Sequence, residues 1–221
     1  TKNLSVAGKK SIVIPLGEIR ITRKVKMFTI YFRSCAKVHL WKQNKKRVFD
    51  QPKSEYLLRS LNSIIKSVSK ASEDIPLTKF KIIVIDDNSE KEVVKKIKSL
   101  LEKCKHKTEF IALNLDDFKD ITQDSNFSSI YKSYIHARDS ENDLIYFVED
   151  DYIHEEMTIQ EMILTYERIS SQLKKEIILF PVDYPYLYAQ HDPTYIMLGN
   201  KKHWRKIDQS LATLLISKIN F

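Results

Sequence analysis

Short, almost wholly apolar runs alternate along the chain with longer stretches in which apolar residues recur every three or four positions. The short runs are typical of strands buried on both faces, and the longer stretches have the period of amphipathic helices. Because such alternation favours parallel strands joined by helices, it predicts an α/β fold, a three-layer α/β/α sandwich with a mainly parallel central sheet. The predicted strands are 27–33, 80–85, 110–115, 144–148 and 177–182, and the predicted helices lie around 57–68 (after a cap at Ser54), 93–101, 130–135 and 157–173.

The same pattern divides the chain into three parts. Residues 1–26 form a basic, weakly patterned N-terminal segment, and residues 27–183 form the α/β core. Residues 184–221 break the alternation, are rich in Tyr and His, and are expected to form a lobe over one end of the sheet. Since the first residue is Thr rather than Met and the last follows an apolar stretch, we expect a longer or processed chain.

Composition excludes several classes of protein. The only three glycines, Gly8, Gly17 and Gly199, are too far apart for a dinucleotide-binding fingerprint, and a P-loop also fails because Asn3 stands where its first glycine is needed. Two cysteines cannot build a disulfide framework or a four-cysteine zinc site, which favours a reducing, cytoplasmic setting. No apolar run approaches the length of about 20 residues that crosses a bilayer.

Two acidic clusters follow predicted strands. Asp86 and Asp87 follow the apolar residues of the run at 82–89. Glu149, Asp150 and Asp151 follow those of the run at 145–152. In open α/β sheets ligands bind outside the carboxyl ends of the strands, so both clusters are expected at one edge. Carboxylates two apart on a strand point to the same face, and their hard oxygens favour Mg²⁺ or Mn²⁺. The plainer interpretation is that such residues only terminate strands and cap helices.

The ordered set of motifs resembles glycosyltransferases of the GT-A fold, especially family-2-like enzymes. The run at 29–33 resembles their first strand, 86–89 their D-D-x-S element, and 149–151 their D-x-D motif. The resemblance implies that residues 27–183 bind a nucleotide-sugar, with UDP-sugars favoured, and that 184–221 lie on the acceptor side. It implies a metal ligand at Asp151 and a nucleotide site formed by Arg33, Asp86, Asp87, Asn126, Glu149 and Asp150.

The resemblance also implies a reaction: transfer of a sugar, with inversion, to a hydroxyl of a glycan or lipid-linked acceptor. The metal, Mn²⁺ or Mg²⁺, neutralises charge on the departing diphosphate, and a carboxylate takes the acceptor proton. Asp183 is the candidate base and Asp192 the fallback, although both are also plain turn residues. His203 is a candidate for the metal or diphosphate, and Arg205 for phosphate. Weaker candidates are His154 and His191 for the metal and Tyr184, Tyr186 and Tyr188 for stacking on a sugar.

The sequence departs from the family pattern in two respects. The family usually has a glycine after the position of Asn126, where this chain has Phe127, Ser128 and Ser129. No unambiguous catalytic-base motif is present.

Other functions remain open at this point. The run at 84–89 resembles the acidic pocket of a receiver domain, but Asp116 matches the phospho-accepting position only loosely. A net charge of +8 would suit a nucleic-acid-binding module without catalysis, or contact with anionic membrane lipids. The lysines are spread among glutamates and no nucleic-acid motif occurs, so no nucleic-acid partner is expected.

A nucleotidyltransferase on a similar fold is the remaining enzyme alternative, although 34–37 lacks its glycine-rich loop. A GT-A-like protein without activity also stays possible.

Overall fold

The computed structural model describes residues 2–3, 11–14, 19–36, 51–118, 125–182, 184, 194–208 and 210–221. Its helices are α1 (Lys53–Asp74), α2 (Lys91–Glu102), α3 (Ser125–Asp139) and α4 (Thr158–Leu173). Its strands are β1 (Lys2–Asn3), β2 (Ser11–Ile14), β3 (Met27–Ser34), β4 (Lys79–Asp86), β5 (Lys107–Ala112), β6 (Leu144–Glu149), β7 (Ile178–Leu179), β8 (Thr194–Leu198), β9 (His203–Arg205) and β10 (Leu214–Ser217).

The central sheet has six strands in the order β5-β4-β3-β6-β10-β7. Strands β5, β4, β3 and β6 are parallel, and β10 is antiparallel to both of its neighbours. Strand β3 lies between β4 and β6, and every residue after Met27 in it is buried. The predicted α/β fold with a mainly parallel sheet is therefore confirmed.

Both faces of the sheet are covered by helices, which accounts for the nearly continuous apolar strands. Successive side chains of a strand point to opposite faces. Phe28, Ile30 and Phe32 accordingly pack in the larger core with α1, α2 and α4. Tyr31 packs in a smaller core on the other face with Ala137 of α3.

Two predicted strands differ from those observed. The third ends at Ala112 rather than 115, because a 3₁₀ turn at Leu115–Phe118 follows it and the Asn114 side chain accepts a hydrogen bond from the Asp116 backbone N–H at 3.2 Å. The fifth is only Ile178–Leu179, and although it runs in the same direction as the parallel strands, it pairs with the antiparallel strand β10 at the edge of the sheet. Helix α1 begins at Lys53 after Pro52, so the predicted cap at Ser54 is wrong.

Strands from the two ends of the chain pair with each other, and one strand near the C-terminal end joins the central sheet. A second sheet has the order β1-β2-β8-β9, in which β2 pairs in parallel with β8. Strand β10 instead lies in the central sheet beside β6. The region 184–221 thus contributes strands to both sheets, and its proposed acceptor-side role stays a prediction. No helix in the described ranges is long and apolar enough to cross a membrane.

Candidate active site

The register of the central strands brings the two acidic clusters to one edge of the sheet. Arg33 on β3 pairs with Glu149 on β6, and the next residue, Ser34, pairs with Asp86 on β4. Because β3 lies between β4 and β6, the carboxyl ends of all three strands meet at this edge. The sequence-based expectation that both clusters lie together therefore agrees with the strand register.

Arg33 contacts two of the other predicted site residues, Asn126 and Glu149. Its guanidinium is buried and donates to the Glu149 carboxylate at 2.9 Å and to the Asn126 side-chain oxygen at 3.0 Å. A third contact at 3.3 Å reaches the hydroxyl of Ser129, which sequence analysis noted only as part of a departure from the family pattern. A planar guanidinium is suited to bridging several acceptors, so Arg33 fixes the start of α3 relative to the end of β6.

The two aspartates that end β4 have different environments. Asp86 accepts hydrogen bonds from the Ser34 hydroxyl at 2.7 Å, the Ser89 hydroxyl at 2.7 Å and the Ser89 backbone N–H at 3.0 Å. It thereby organises the turn in which Asn88 has a left-handed backbone with φ of 53°, a conformation that Asn tolerates. The Asp87 carboxylate is buried and makes no hydrogen bond or ion pair with another described side chain.

Asp150 and Asp151 also differ, although they are neighbours. Asp150 is buried, accepts a hydrogen bond from the Cys35 backbone N–H at 2.9 Å, and forms an ion pair with Lys53 of α1. Burial raises the pKa of the Asp150 carboxyl, since the loss of hydration outweighs the nearby lysine. Asp151 is exposed, and its carboxylate has no partner in the part of the chain that the structure describes.

His154, a weak metal candidate from the sequence, is a buried residue. Its Nε2 atom lies 2.9 Å from the hydroxyl of Tyr146, a core residue of β6. Burial lowers the pKa of this imidazole to about 4, so it is neutral at physiological pH. Tyr184, proposed to stack on a sugar, shares a hydrogen bond of 2.7 Å with the hydroxyl of Tyr152.

The remaining predicted residues are not brought to this edge by the described contacts. His203 and Arg205 lie on β9 of the second sheet, and His203 is exposed. Asp183, Asp192, His191, Tyr186 and Tyr188 lie outside the described residues. Among the described residues, no group of three His, Cys, Asp or Glu side chains is arranged to hold a metal ion.

An open groove of about 810 Å³ runs along α1 from Glu55 to Glu73. Its other described wall is formed by Ile153, His154 and Glu156, shortly after the acidic cluster. The lining residues include Tyr56 and Asn62 of the helix, and most of the surface that they expose to the groove is apolar. The groove therefore begins close to the segment that carries Asp151.

The sequence matches the family described as glycosyl transferase family 2 over residues 48–210, which is most of the chain. The chain belongs to glycosyl transferase family 2. The matched range includes Asp86, Asp87 and the cluster at 149–151, as the resemblance to family-2-like GT-A enzymes implied. That identification of the family is confirmed.

Two solved glycosyltransferase structures are weakly similar to this family-2 chain. The galactosyltransferase LgtC, in complex with donor and acceptor sugar analogs, is 13% identical with a TM-score of 0.33, and the match covers 56% of this chain and 37% of that one. The mannosyltransferase Ktr4p from S. cerevisiae, in complex with GDP, is 13% identical with a TM-score of 0.29, covering 63% and 39%. The chain thus spans well under half the length of these proteins. No curated protein matches it.

Proposed function

We propose that this protein is a glycosyltransferase that moves a sugar, with inversion, from a UDP-sugar to a hydroxyl group of a glycan or lipid-linked acceptor. Besides family membership, one observation carries the proposal. Arg33 gathers Asn126 and Glu149 at the strand-end edge, beside two carboxylates, Asp87 and Asp151, that have no protein partner among the described residues.

The carboxylates at this edge divide into two roles. Asp86 and Asp150 already accept hydrogen bonds from the protein, so we assign them the task of holding the loops after β4 and β6. Asp87, and the Glu149 oxygen that does not accept from Arg33, are left to accept hydrogen bonds from the nucleoside, because ionised carboxylates accept well from ribose and base donors. The ion pair with Arg33, at 2.9 Å, orients Glu149 for this contact.

Asp151 is the residue that fits a divalent cation. It is an exposed, hard-oxygen donor with no competing cation among the described side chains, and Mg²⁺ and Mn²⁺ are commonly held by one or two carboxylates with substrate phosphates completing the shell. The absence of a three-residue cluster in the described ranges is compatible with such a site. When bound, the ion would neutralise charge developing on the diphosphate. A contribution from His203 and Arg205, and proton removal by Asp183, remain predictions from the sequence.

A thermal-shift panel tests the proposal. UDP, GDP, CDP and CMP are compared with and without Mn²⁺, and UDP with Mn²⁺ is expected to raise Tm most. At about 100 times the Kd the expected increase is roughly 5–10 °C, since binding to the native state alone stabilises by about 2.7 kcal/mol. Asp151→Ala is expected to abolish the Mn²⁺-dependent part of the increase.

Glu155→Ala is the matched control, because Glu155 is an exposed acid four residues further on with only a long contact of 3.5 Å to Lys202. It should retain the full Mn²⁺-dependent shift. The proposal would be contradicted if none of the four nucleotides raised Tm, or if Asp151→Ala responded to UDP and Mn²⁺ as the unchanged protein does.

A further inference from the structure

Three serines of helix α1 bind the backbone of the segment that follows Asp151. The Ser60 hydroxyl donates to the Tyr152 carbonyl at 2.6 Å. The Ser63 hydroxyl accepts from the His154 backbone N–H at 3.0 Å, and the Ser67 hydroxyl accepts from the Ile159 backbone N–H at 3.0 Å. We call these three residues the serine ladder.

The spacing of the serine ladder places it on one side of the helix. Positions three and seven residues apart lie one above another on an α-helix, so the three hydroxyls form a row. Ser60 and Ser67 are fully buried, which means that the row faces the protein interior. Such positions are ordinarily apolar, and serine is only a moderate helix former.

The backbone of residues 152–157 belongs to no helix or strand. A buried backbone N–H or carbonyl without a partner is costly, so an irregular segment packed on a helix needs side chains to satisfy it. The ladder supplies such partners at the start of the segment, at Tyr152, and in its middle, at His154, and also to the Ile159 N–H in the first turn of α4. Lys53, the first residue of the same helix, adds its ion pair with Asp150 on the other side of Asp151.

We infer that the serine ladder is a positioning device for Asp151. Helix α1 fixes the chain immediately before this residue through Lys53 and immediately after it through Ser60 and Ser63, so the carboxylate is held at a set place while remaining exposed. The inference rests on the proposed function, because it assigns the ladder to the cation–diphosphate site. It makes Ser60, Ser63 and Ser67 positioning residues.

Ser63→Ala tests this role. The variant removes the acceptor for the His154 N–H, whereas Ser63→Thr keeps a hydroxyl there. Ser72→Ala is the matched control, since the Ser72 hydroxyl donates at 2.7 Å to the Ser69 carbonyl within the same helix. Three quantities are measured for each protein: the Mn²⁺ concentration that gives half-maximal UDP binding, the Kd for UDP in EDTA, and the hydrogen–deuterium exchange of a peptide covering 150–160.

Ser63→Ala is expected to raise the half-maximal Mn²⁺ concentration about tenfold, at the lower end of the effect of changing a partner behind a metal ligand. The Kd for UDP in EDTA should stay within twofold, and amide exchange in 150–160 should accelerate. Ser63→Thr should lie within about threefold of the unchanged protein, and Ser72→Ala should match it.

A merely structural ladder gives a different result: Ser63→Ala would accelerate exchange while leaving the Mn²⁺ concentration unchanged, and that outcome overturns the inference alone. If the unchanged protein showed no Mn²⁺-dependent UDP binding, the proposed function would be wrong, and the inference with it.

Discussion

At the scale of single residues, neighbouring acids have separate tasks because the turn after β6 places them in different surroundings. Asp150 is buried against Lys53 and the Cys35 amide, whereas Asp151 is exposed. The pKa of Asp150 is raised even with the lysine in place, which shows that hydration lost on burial is the larger effect. Lys53 therefore compensates a carboxylate that the fold could not otherwise bury as an ion.

Replacement of Lys53 by methionine should destabilise the protein by about 3 kcal/mol at pH 7, because it leaves a buried carboxylate without its cation. Without the lysine the pKa of Asp150 in the folded state lies further above that of the unfolded chain. The stability lost through the substitution is therefore complete above the folded-state pKa of Asp150, and it becomes smaller as the pH falls through that pKa. Urea unfolding between pH 4.5 and 8 measures this dependence.

Lys66→Met provides the comparison, since Lys66 is an exposed residue of the same helix. It should change the free energy of unfolding by less than about 0.5 kcal/mol at every pH. Equal effects of the two substitutions would show that the ion pair with Asp150 contributes nothing.

His154 should make the stability of the unchanged protein fall as the pH is lowered below about 6.5. Its pKa is lowered to about 4 by burial, whereas the unfolded chain has an ordinary histidine pKa near 6.5. The unfolded state therefore binds a proton first as the pH falls below about 6.5. Stability should decrease by about 3 kcal/mol between pH 6.5 and 4, at about 1.36 kcal/mol per unit.

The check is urea unfolding over this pH range for His154→Gln, in which the decrease should be smaller by most of that amount. His203→Gln, at an exposed histidine, should keep the decrease of the unchanged protein. Identical pH profiles for His154→Gln and the unchanged protein would contradict the assignment.

At the scale of elements, one buried carboxylate attaches the β8–β9 hairpin to helix α4. Glu161 accepts hydrogen bonds from the Lys201 and Lys202 backbone N–H groups, at 2.7 and 3.1 Å, and from the Trp204 indole N–H at 3.2 Å. The turn can approach the helix this closely because it contains Gly199. A Cβ atom there would lie 2.2 Å from the hydroxyl of Thr165 and 2.6 Å from the Trp204 ring.

Gly199→Ala should accordingly destabilise the protein by about 2 kcal/mol, since a methyl group must be forced into a packed contact. Lys201→Ala, in the same turn, should stay within about 0.5 kcal/mol because its side chain is exposed. Chemical denaturation of both variants is the measurement. A Gly199→Ala variant as stable as Lys201→Ala would show that the hairpin is not seated against α4 as described.

At the scale of the whole molecule, the central sheet was predictable where its strands carry their own signal. The runs around Ile30, Ile83 and Phe147 are apolar on both faces, and the parallel order follows from the helices between them. Strand β10 was not predicted in this sheet. It is only four residues long, and it pairs with β6, which lies far from it in the sequence. The pairing of β2 with β8 is similarly remote.

The candidate site was predictable to the same extent. Acidic residues after two apolar strands are expected at a shared edge, as the register of Asp86 and Glu149 agrees. The sequence did not predict which of these carboxylates lacks a partner among the described residues. Asp150 is engaged by Lys53 and by a backbone amide of Cys35, and both come from segments whose approach depends on the complete fold.

The late position of strand β10 along the chain has a consequence during synthesis. Until Leu214 is made, strand β6 has an uncovered side with unpaired amide and carbonyl groups. A ribosome adds about 5–20 residues per second, so the interval after Glu149 lasts several seconds. Over that time the nascent protein offers the strand bearing its acidic cluster as a template for pairing with another chain, and prompt arrival of residues 214–217 closes the opportunity.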